Sequence, residues 1–238
     1  MNNKLQALKE KVFEANQNLV KHGLVIHTWG NASGIDRESG TVVIKPSGVD
    51  YSIMTMEDMV IVDLESGDVI NSNLRPSSDL LTHLELYKAF PEIGGVVHVH
   101  STYAVAWAQA ECEIPCFGTT HADYFYGAIP VTRGLTVSEI EDSYEKNTGH
   151  VIVDLFRDRH LSEKEVPGVL VAKHGPFTWG GDVLEAERNA LFLEEIAKMG
   201  HLSQQLNPTL NSLPSHILTK HYSRKHGADA YYGQHNYR

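Results

Sequence analysis

The chain has few of the features that mark specialised classes of protein. It contains only two cysteines, Cys112 and Cys116, among 238 residues. A secreted protein of this length that is stabilised by disulfides would contain more than one cysteine pair. We therefore expect that the protein resides in the reducing cytoplasm. No apolar run approaches the roughly 20 residues that a membrane helix needs, and residues 1–17 lack the apolar stretch of a signal peptide. We therefore expect a cytoplasmic protein with no membrane partner.

Positive charge is also scarce. The sequence has 20 Lys and Arg residues against 30 Asp and Glu residues, which gives a formal net charge of −10. Domains that bind nucleic-acid duplexes usually show the opposite balance, so no nucleic-acid partner is expected. Neither a GxGxxG nor a GxxxxGKS/T motif occurs, which excludes the standard nucleotide-binding loops.

Hydrophobic residues make up 42% of the chain, with no repeat, linker or low-complexity segment. This predicts a single domain over residues 1–238. The predicted helices and strands do not alternate as regular βαβ units. We therefore predict an α/β protein of the α+β type, with a central, mostly antiparallel sheet and helices on both faces. Gly149 is a candidate break in the helix predicted for residues 136–158. The other predicted helices cover residues 5–20, 77–90, 102–111, 182–206 and 215–227, and the strands lie within residues 35–45, 59–70, 96–100 and 166–175.

Two histidines interrupt the apolar run of residues 94–101, GGVVHVHS. Side chains alternate across a strand, so Val96, His98 and His100 are predicted on one face. Both imidazoles then point the same way and are spaced to hold one ion. The alternative is a pair of hydrogen-bonded core histidines, and this spacing alone leaves both interpretations open.

A third histidine, His174, ends a second apolar strand directly before Gly175. From there it can reach a site on a neighbouring strand, and three imidazoles leave a zinc-like ion with an open position, as in catalytic sites. Asp79, at the start of its helix, would add a fourth ligand or a catalytic base, although alone it is typical of a helix N-terminal charge. The sequence favours one divalent ion, Zn²⁺, with Mn²⁺ or Co²⁺ as alternatives.

Three segments rich in serine and glycine lie apart from these histidines, at residues 28–34, 45–48 and 75–78. Each alone is typical of a turn. Together they offer backbone N–H groups, hydroxyls, a lysine and a helix N-terminus, which are the parts of a phosphate pocket that uses no nucleotide loop. An acidic chain needs such a local positive pocket to hold an anionic substrate.

In their order along the chain, these motifs resemble those of the class II aldolase and epimerase superfamily. The motifs are Gly30-Asn31, Lys45-Pro46-Ser47-Gly48, Ser77-Ser78-Asp79, His98-Val99-His100 and Lys173-His174-Gly175. Two features favour an epimerase: Asp79 stands where the sugar-phosphate aldolases of the family carry glutamate, and residues 220–234 resemble the epimerase tail. The resemblance implies the class II aldolase fold and a phosphorylated ketopentose as the substrate.

The resemblance also implies roles for individual residues. The metal ion would be bound by His98, His100 and His174, with Asp79 beside them. The substrate, mostly at its phosphate, would contact Gly30, Asn31, Lys45, Ser47, Gly48, Ser77 and Ser78.

Asp123, in GTTHADYF, and Tyr232, in AYYGQ, match the family's acid/base residues, with Tyr231 as the neighbouring alternative to Tyr232. His221 matches a tail histidine near the site. The tyrosine comes from a neighbouring subunit, since members are homotetramers around a fourfold axis with sites at subunit interfaces. Without the resemblance, Asp123 is typical of a helix or loop charge, and Tyr232 of an aromatic residue in a flexible tail.

Two other functions stay open. An aldolase of the same superfamily would release dihydroxyacetone phosphate, and Asp79 in place of glutamate argues against it. A non-catalytic structural relative, like the head domain of adducin, would lack the metal histidines, whereas all three are present in this sequence.

Overall fold

An antiparallel sheet forms the centre of the protein. The structure is a computed structural model that describes residues 3–70, 72–227 and 230–231. Within these residues six strands form the sheet, namely β1 (Asn31–Asp36), β2 (Thr41–Ile44), β3 (Val60–Asp63), β4 (Gly95–His98), β5 (Gly168–Val171) and β6 (Gly175–Gly180). Their order is β3-β2-β1-β4-β6-β5, and each neighbouring pair is antiparallel. The predicted antiparallel sheet is confirmed.

Helices cover both faces of the sheet, as predicted. In the described part of the chain they are α1 (Asn3–Lys21), α2 (Leu80–Ala89), α3 (Thr102–Gln109), α4 (Thr119–Ala122), α5 (Val137–Asp158), α6 (Val183–Leu206) and α7 (Ser215–His226). Because side chains alternate along each strand, the sheet contributes apolar residues to two hydrophobic cores, one on each face. Val42 and Val96 belong to the core that includes residues of α2 and α5, whereas Val43 and Val97 pack with α1 and α6. None of these helices is both long and apolar enough to span a membrane.

The break in α5 lies at Ser143, not at Gly149. Ser143 has φ −161° and ψ 91°, which interrupts the helix six residues before the glycine. Gly149 instead lets α5 approach α2, because a Cβ added there would lie 2.7 Å from Glu85 Cβ. The prediction of a break at Gly149 was therefore wrong, since this glycine serves close helix packing rather than a turn.

Gly95 lies so close to α6 that a side chain has no room. An added Cβ would lie 2.3 Å from Val183 Cα and 2.5 Å from Val183 N. We expect Gly95→Ala to lower the free energy of unfolding by about 1–3 kcal/mol, because backbone atoms must move to admit the methyl group. Gly134→Ala is the matched control, since nothing would lie within 4 Å of its added Cβ. Urea denaturation measures both variants, and equal midpoints would contradict the packing argument.

Candidate metal centre and substrate cleft

Strand β4 holds His98 at the centre of the sheet. His98 pairs with Asn31 of β1 and with Phe177 of β6, and its ring stacks on that of Phe177 at a centroid distance of 4.1 Å. Because a carbonyl can only accept, the His98 Nδ1–H donates to the Pro176 carbonyl at 2.9 Å. This tautomer leaves Nε2 with a free lone pair, as a metal ligand requires.

A tight turn between β5 and β6 brings His174 to His98. Lys173 adopts a left-handed φ of 63°, and the His174 N–H donates to the Val171 carbonyl at 3.0 Å. The His174 ring lies 4.7 Å from the His98 ring and 5.1 Å from the His100 ring, between centroids. One ligand nitrogen from each histidine lies within 4.8 Å of the others. This group of three imidazoles fits a zinc-type ion with an open position.

Asp79 lines the same cleft as His100 and His174, at the N-terminal end of α2. Among the described residues, the compact metal-binding group contains the three histidines without it. Its Oδ2 accepts a hydrogen bond of 2.6 Å from Asn31 Nδ2. Burial raises the pKa of the Asp79 carboxyl, but the nearby His98 and His83 and the Asn31 bond outweigh burial and hold that pKa below its ordinary value. Its role as a fourth ligand stays a prediction.

A cleft of about 500 Å³ opens beside the histidines. All seven residues predicted to contact the substrate line it, namely Gly30, Asn31, Lys45, Ser47, Gly48, Ser77 and Ser78, together with Asp79, His100 and His174. Three segments that are far apart in the sequence therefore share one cavity of a size suited to a small molecule. Another cavity of about 480 Å³, between β6, α6 and α7, contains none of these predicted residues.

Backbone hydrogen bonds join two of the loops that line the cleft. The Ser47 N–H donates to the Arg75 carbonyl, and the Ser77 N–H donates to the Lys45 carbonyl, both at 2.9 Å. The third loop passes close to β4 at Gly30, which has a φ of 83°. A Cβ there would lie 2.7 Å from a carbonyl oxygen of β4. Glycine is therefore needed to bring this loop against the strand that carries His98.

Lys45 is a buried cation at the edge of the cleft. Its Nζ donates to the carbonyls of Pro46 at 3.2 Å and Val49 at 3.0 Å, and it lies 4.6 Å from the centroid of the Tyr51 ring. Burial lowers the pKa of Lys45, while Asp50 opposes that shift. The carbonyls and the ring fix the position of the ammonium group, so it contributes a fixed positive field to the cleft.

Asp123 lies outside this cleft. It follows α4 directly, is buried, and is not among the described residues that line the cavity beside the histidines. Arg224 of α7 donates to both carboxylate oxygens of Asp123, at 3.0 and 2.8 Å, and His221 Nδ1 lies 3.1 Å from Oδ1. Within one chain, the structure therefore does not bring Asp123 to the histidines. Tyr232 lies outside the described residues.

Tyr144 and Glu145 line the cleft, although neither was predicted from the sequence. Both follow the kink at Ser143 directly, and Tyr144 Oη lies 3.3 Å from His174 Nδ1. The composition of α5 is helical throughout, so no local signal marks the kink. These two residues reach the site only through the packing of α5 on α2.

His83 is a further polar residue that the sequence analysis did not single out. It is buried in α2, and its Nδ1 lies 2.7 Å from Ser33 Oγ, which lies 2.8 Å from Tyr87 Oη. Asp79, His83 and Tyr87 are spaced by four residues, which puts them on one helix face. That face meets β1, and the spacing was a signal available in the sequence. Burial lowers the pKa of His83 to about 3.

Comparison with known proteins identifies the family. Residues 10–201 match the family described as class II aldolase and adducin N-terminal domain, and the chain belongs to that family. One similar solved structure is an L-fuculose 1-phosphate aldolase, 24% identical over 92% of this chain and 95% of that chain, with a TM-score of 0.76. Another is YgbL, a putative aldolase/epimerase/decarboxylase from Klebsiella pneumoniae, 22% identical over 90% and 97% of the two chains, with a TM-score of 0.71.

A third similar structure is the L-fuculose-1-phosphate aldolase from Thermus thermophilus. It is 24% identical over 87% of this chain and 98% of that chain, with a TM-score of 0.66. At these identities the likeness concerns the fold, and the predicted class II aldolase fold is confirmed.

His98→Ala is expected to remove the bound metal ion. His98 is 1% exposed, and the Pro176 carbonyl fixes its ring, so no other side chain can easily replace its Nε2 lone pair. After dialysis, elemental analysis should find about one ion per wild-type chain and almost none in the variant. His201→Gln, which removes an exposed histidine of α6, is the control and should keep its ion. A His98→Ala protein with wild-type metal content would contradict the ligand assignment.

The buried His83 should make the metal-free protein sensitive to acid. The unfolded chain takes up a proton on this imidazole below its ordinary pKa of 6.5, whereas the folded ring stays neutral down to a pKa of about 3. The free energy of unfolding therefore falls as the pH decreases from 6.5 towards 3. Between pH 6 and pH 5, His83→Gln should lose about 1.2 kcal/mol less free energy of unfolding than the wild type, because the unfolded imidazole is already partly protonated at pH 6.

Urea denaturation at the two pH values measures this difference. The matched control is again His201→Gln, which removes an exposed imidazole of α6. If the free energy of unfolding of His83→Gln fell between pH 6 and pH 5 as much as that of the wild type, the protonation of His83 would not contribute to the acid sensitivity.

Proposed function

We propose that this protein is a divalent-metal-dependent L-ribulose-5-phosphate 4-epimerase, which interconverts L-ribulose 5-phosphate and D-xylulose 5-phosphate. The observation that carries the proposal is one cleft in which His100 and His174, two of the three clustered histidines, lie beside loops of the phosphate-binding type. The choice of substrate rests on resemblance, since Asp79 and residues 220–234 are similar to their counterparts in the bacterial epimerase.

Inversion at C4 requires a carbon–carbon bond to break. The carbonyl of the ketopentose is at C2, so only the proton on C3 is acidic, and simple deprotonation cannot invert C4. When a base removes the proton of the C4 hydroxyl, the C3–C4 bond can cleave to the enediolate of dihydroxyacetone and glycolaldehyde phosphate. The aldehyde then rotates, presents its other face and adds back to the enediolate, which forms the other epimer.

The cleft offers separate groups for the two fragments. The Ser47 and Ser77 hydroxyls, together with Gly48 and Ser78, would hold the phosphate, so that glycolaldehyde phosphate can rotate without leaving. A divalent ion bound by the three histidines would supply a Lewis acid for the negative charge on the C2 and C3 oxygens. Asn31, which bonds Asp79 at 2.6 Å, would keep that carboxylate beside the histidines.

Proton transfer on opposite faces needs two acid/base groups, and these roles are proposed for Asp123 and Tyr232. Each such group contributes on the order of 10²–10⁴ in rate. Asp123 is paired with Arg224 away from the cleft of its own chain, so its proposed role requires that Asp123 of one subunit reach the cleft of another, as the proposed homotetramer would allow. His221, 3.1 Å from Asp123, would lie at the same interface. Each subunit is proposed to be one cytoplasmic domain over residues 1–238.

An aldolase is the second candidate, because L-fuculose 1-phosphate aldolases share this fold. Such an enzyme would let the aldehyde leave after the bond breaks. Asp79 argues for the epimerase, since its side chain is one methylene shorter than the glutamate that the resemblance assigns to the aldolases. The clustered histidines argue against an adducin-like structural role.

The proposal is tested with purified protein, L-ribulose 5-phosphate and Mn²⁺, Zn²⁺ or Co²⁺. D-xylulose 5-phosphate should form, and turnover in D₂O should leave C4 free of deuterium because the C4–H bond never breaks. Protein stripped of metal with EDTA is the control, and its activity should return when the ion is restored. Deuterium at C4 would contradict bond cleavage. Release of dihydroxyacetone phosphate from L-fuculose 1-phosphate, without epimerisation, would favour the aldolase.

A further inference from the structure

Two of the clustered histidines have a hydrogen-bond partner at Nδ1. His98 Nδ1–H donates to the Pro176 carbonyl, and His174 Nδ1 lies 3.3 Å from Tyr144 Oη. The two partners differ in chemistry, because a carbonyl can only accept a hydrogen bond whereas a phenol can donate or accept. Such partners fix the tautomer and the orientation of metal-binding imidazoles.

Tyr144 is held in place by the fold and not only by its contact with His174. Its carbonyl accepts a hydrogen bond of 2.8 Å from Thr148 Oγ1, within α5. The next carbonyl, of Glu145, accepts a hydrogen bond of 2.6 Å from Thr82 Oγ1, which is nearly fully buried in α2. The segment after the kink is therefore anchored to α2, the helix that carries Asp79 at its start. This anchoring presents the Tyr144 hydroxyl at the wall of the cleft.

We propose that Tyr144 is a positioning residue of the metal centre. Its hydroxyl oxygen accepts the Nδ1–H of His174, which directs the Nε2 lone pair of His174 to the ion shared with His98 and His100. If His174 held its proton on Nε2 instead, that nitrogen could not bind a metal ion. The hydroxyl stabilises the ligand tautomer, and the kink at Ser143 places it within reach of the ring. This inference rests on the metal site of the proposed function.

Tyr144→Phe tests the role of the hydroxyl, because it removes one oxygen and keeps the ring. The affinity of metal-free protein for Co²⁺ and Zn²⁺ is measured by competition with a chelator, and the visible spectrum of the Co²⁺ protein reports on ligand geometry. We expect Tyr144→Phe to weaken both affinities about 10- to 100-fold and to shift the Co²⁺ bands. The thermal unfolding midpoint of the metal-free protein should stay unchanged.

Tyr126→Phe is the matched control. It also removes a tyrosine hydroxyl that has a side-chain partner, Thr219 Oγ1 at 3.0 Å, and it should keep wild-type affinity and spectrum. Tyr144→Ala removes both the hydroxyl and the ring. It should therefore weaken metal binding at least as much as Tyr144→Phe. Wild-type affinity in Tyr144→Phe, or weakened affinity only in Tyr144→Ala, would overturn the inference and leave a packing role.

The same measurements separate this inference from the proposed function. If the wild-type protein binds Co²⁺ and epimerises the sugar phosphate while Tyr144→Phe binds equally well, only the positioning role fails. If the wild type binds Co²⁺ and Tyr144→Phe binds it weakly, but no epimerisation occurs, the positioning role stands and the epimerase fails. A wild-type protein that binds no divalent ion would overturn both.

Discussion

The placement of β4 between β1 and β6 is the constraint on which the candidate site depends. Asn31 lies opposite His98 on one side, and Phe177 lies opposite it on the other, while the Pro176 carbonyl fixes the ring. A slip of one residue in the register of β4 would turn His98 to the face that packs on α1 and α6. The apolar residues of β4 keep this register because each face has its own core, so the packing of the sheet also sets the ligand geometry.

A row of polar contacts then ties α2 to β1. Asn31 bonds Asp79, and Ser33 lies within hydrogen-bond distance of both His83 and Tyr87. These groups are largely buried, where an unpaired polar atom is costly and a paired one is strongly oriented. The start of α2 is therefore held at a defined distance from β4. This contact row explains how Asp79 can lie beside the histidines without any capping bond to its own helix.

Sequence periodicity and motif order predicted the antiparallel sheet, the helices on both faces and the shared cleft of the three loops. Those features follow from local patterns: alternation in GGVVHVHS, and serines and glycines at turns. The kink at Ser143 could not be predicted, because no residue near it marks a break, and the helix beyond it packs on Thr82 and Glu85, more than fifty residues away in the sequence. The pairing of Asp123 with Arg224 likewise depends on α7 packing beside α4, which no local pattern encodes.

Lys45 gives the cleft a positive charge that does not depend on a mobile surface side chain. Its Nζ is bonded to two carbonyls and lies against the Tyr51 ring, and the residue is 2% exposed. Dissolved ions screen a buried charge much less than an exposed one. An anionic ligand attracted by Lys45 would therefore bind with a weaker dependence on ionic strength than one held by surface lysines, even though the chain as a whole is acidic.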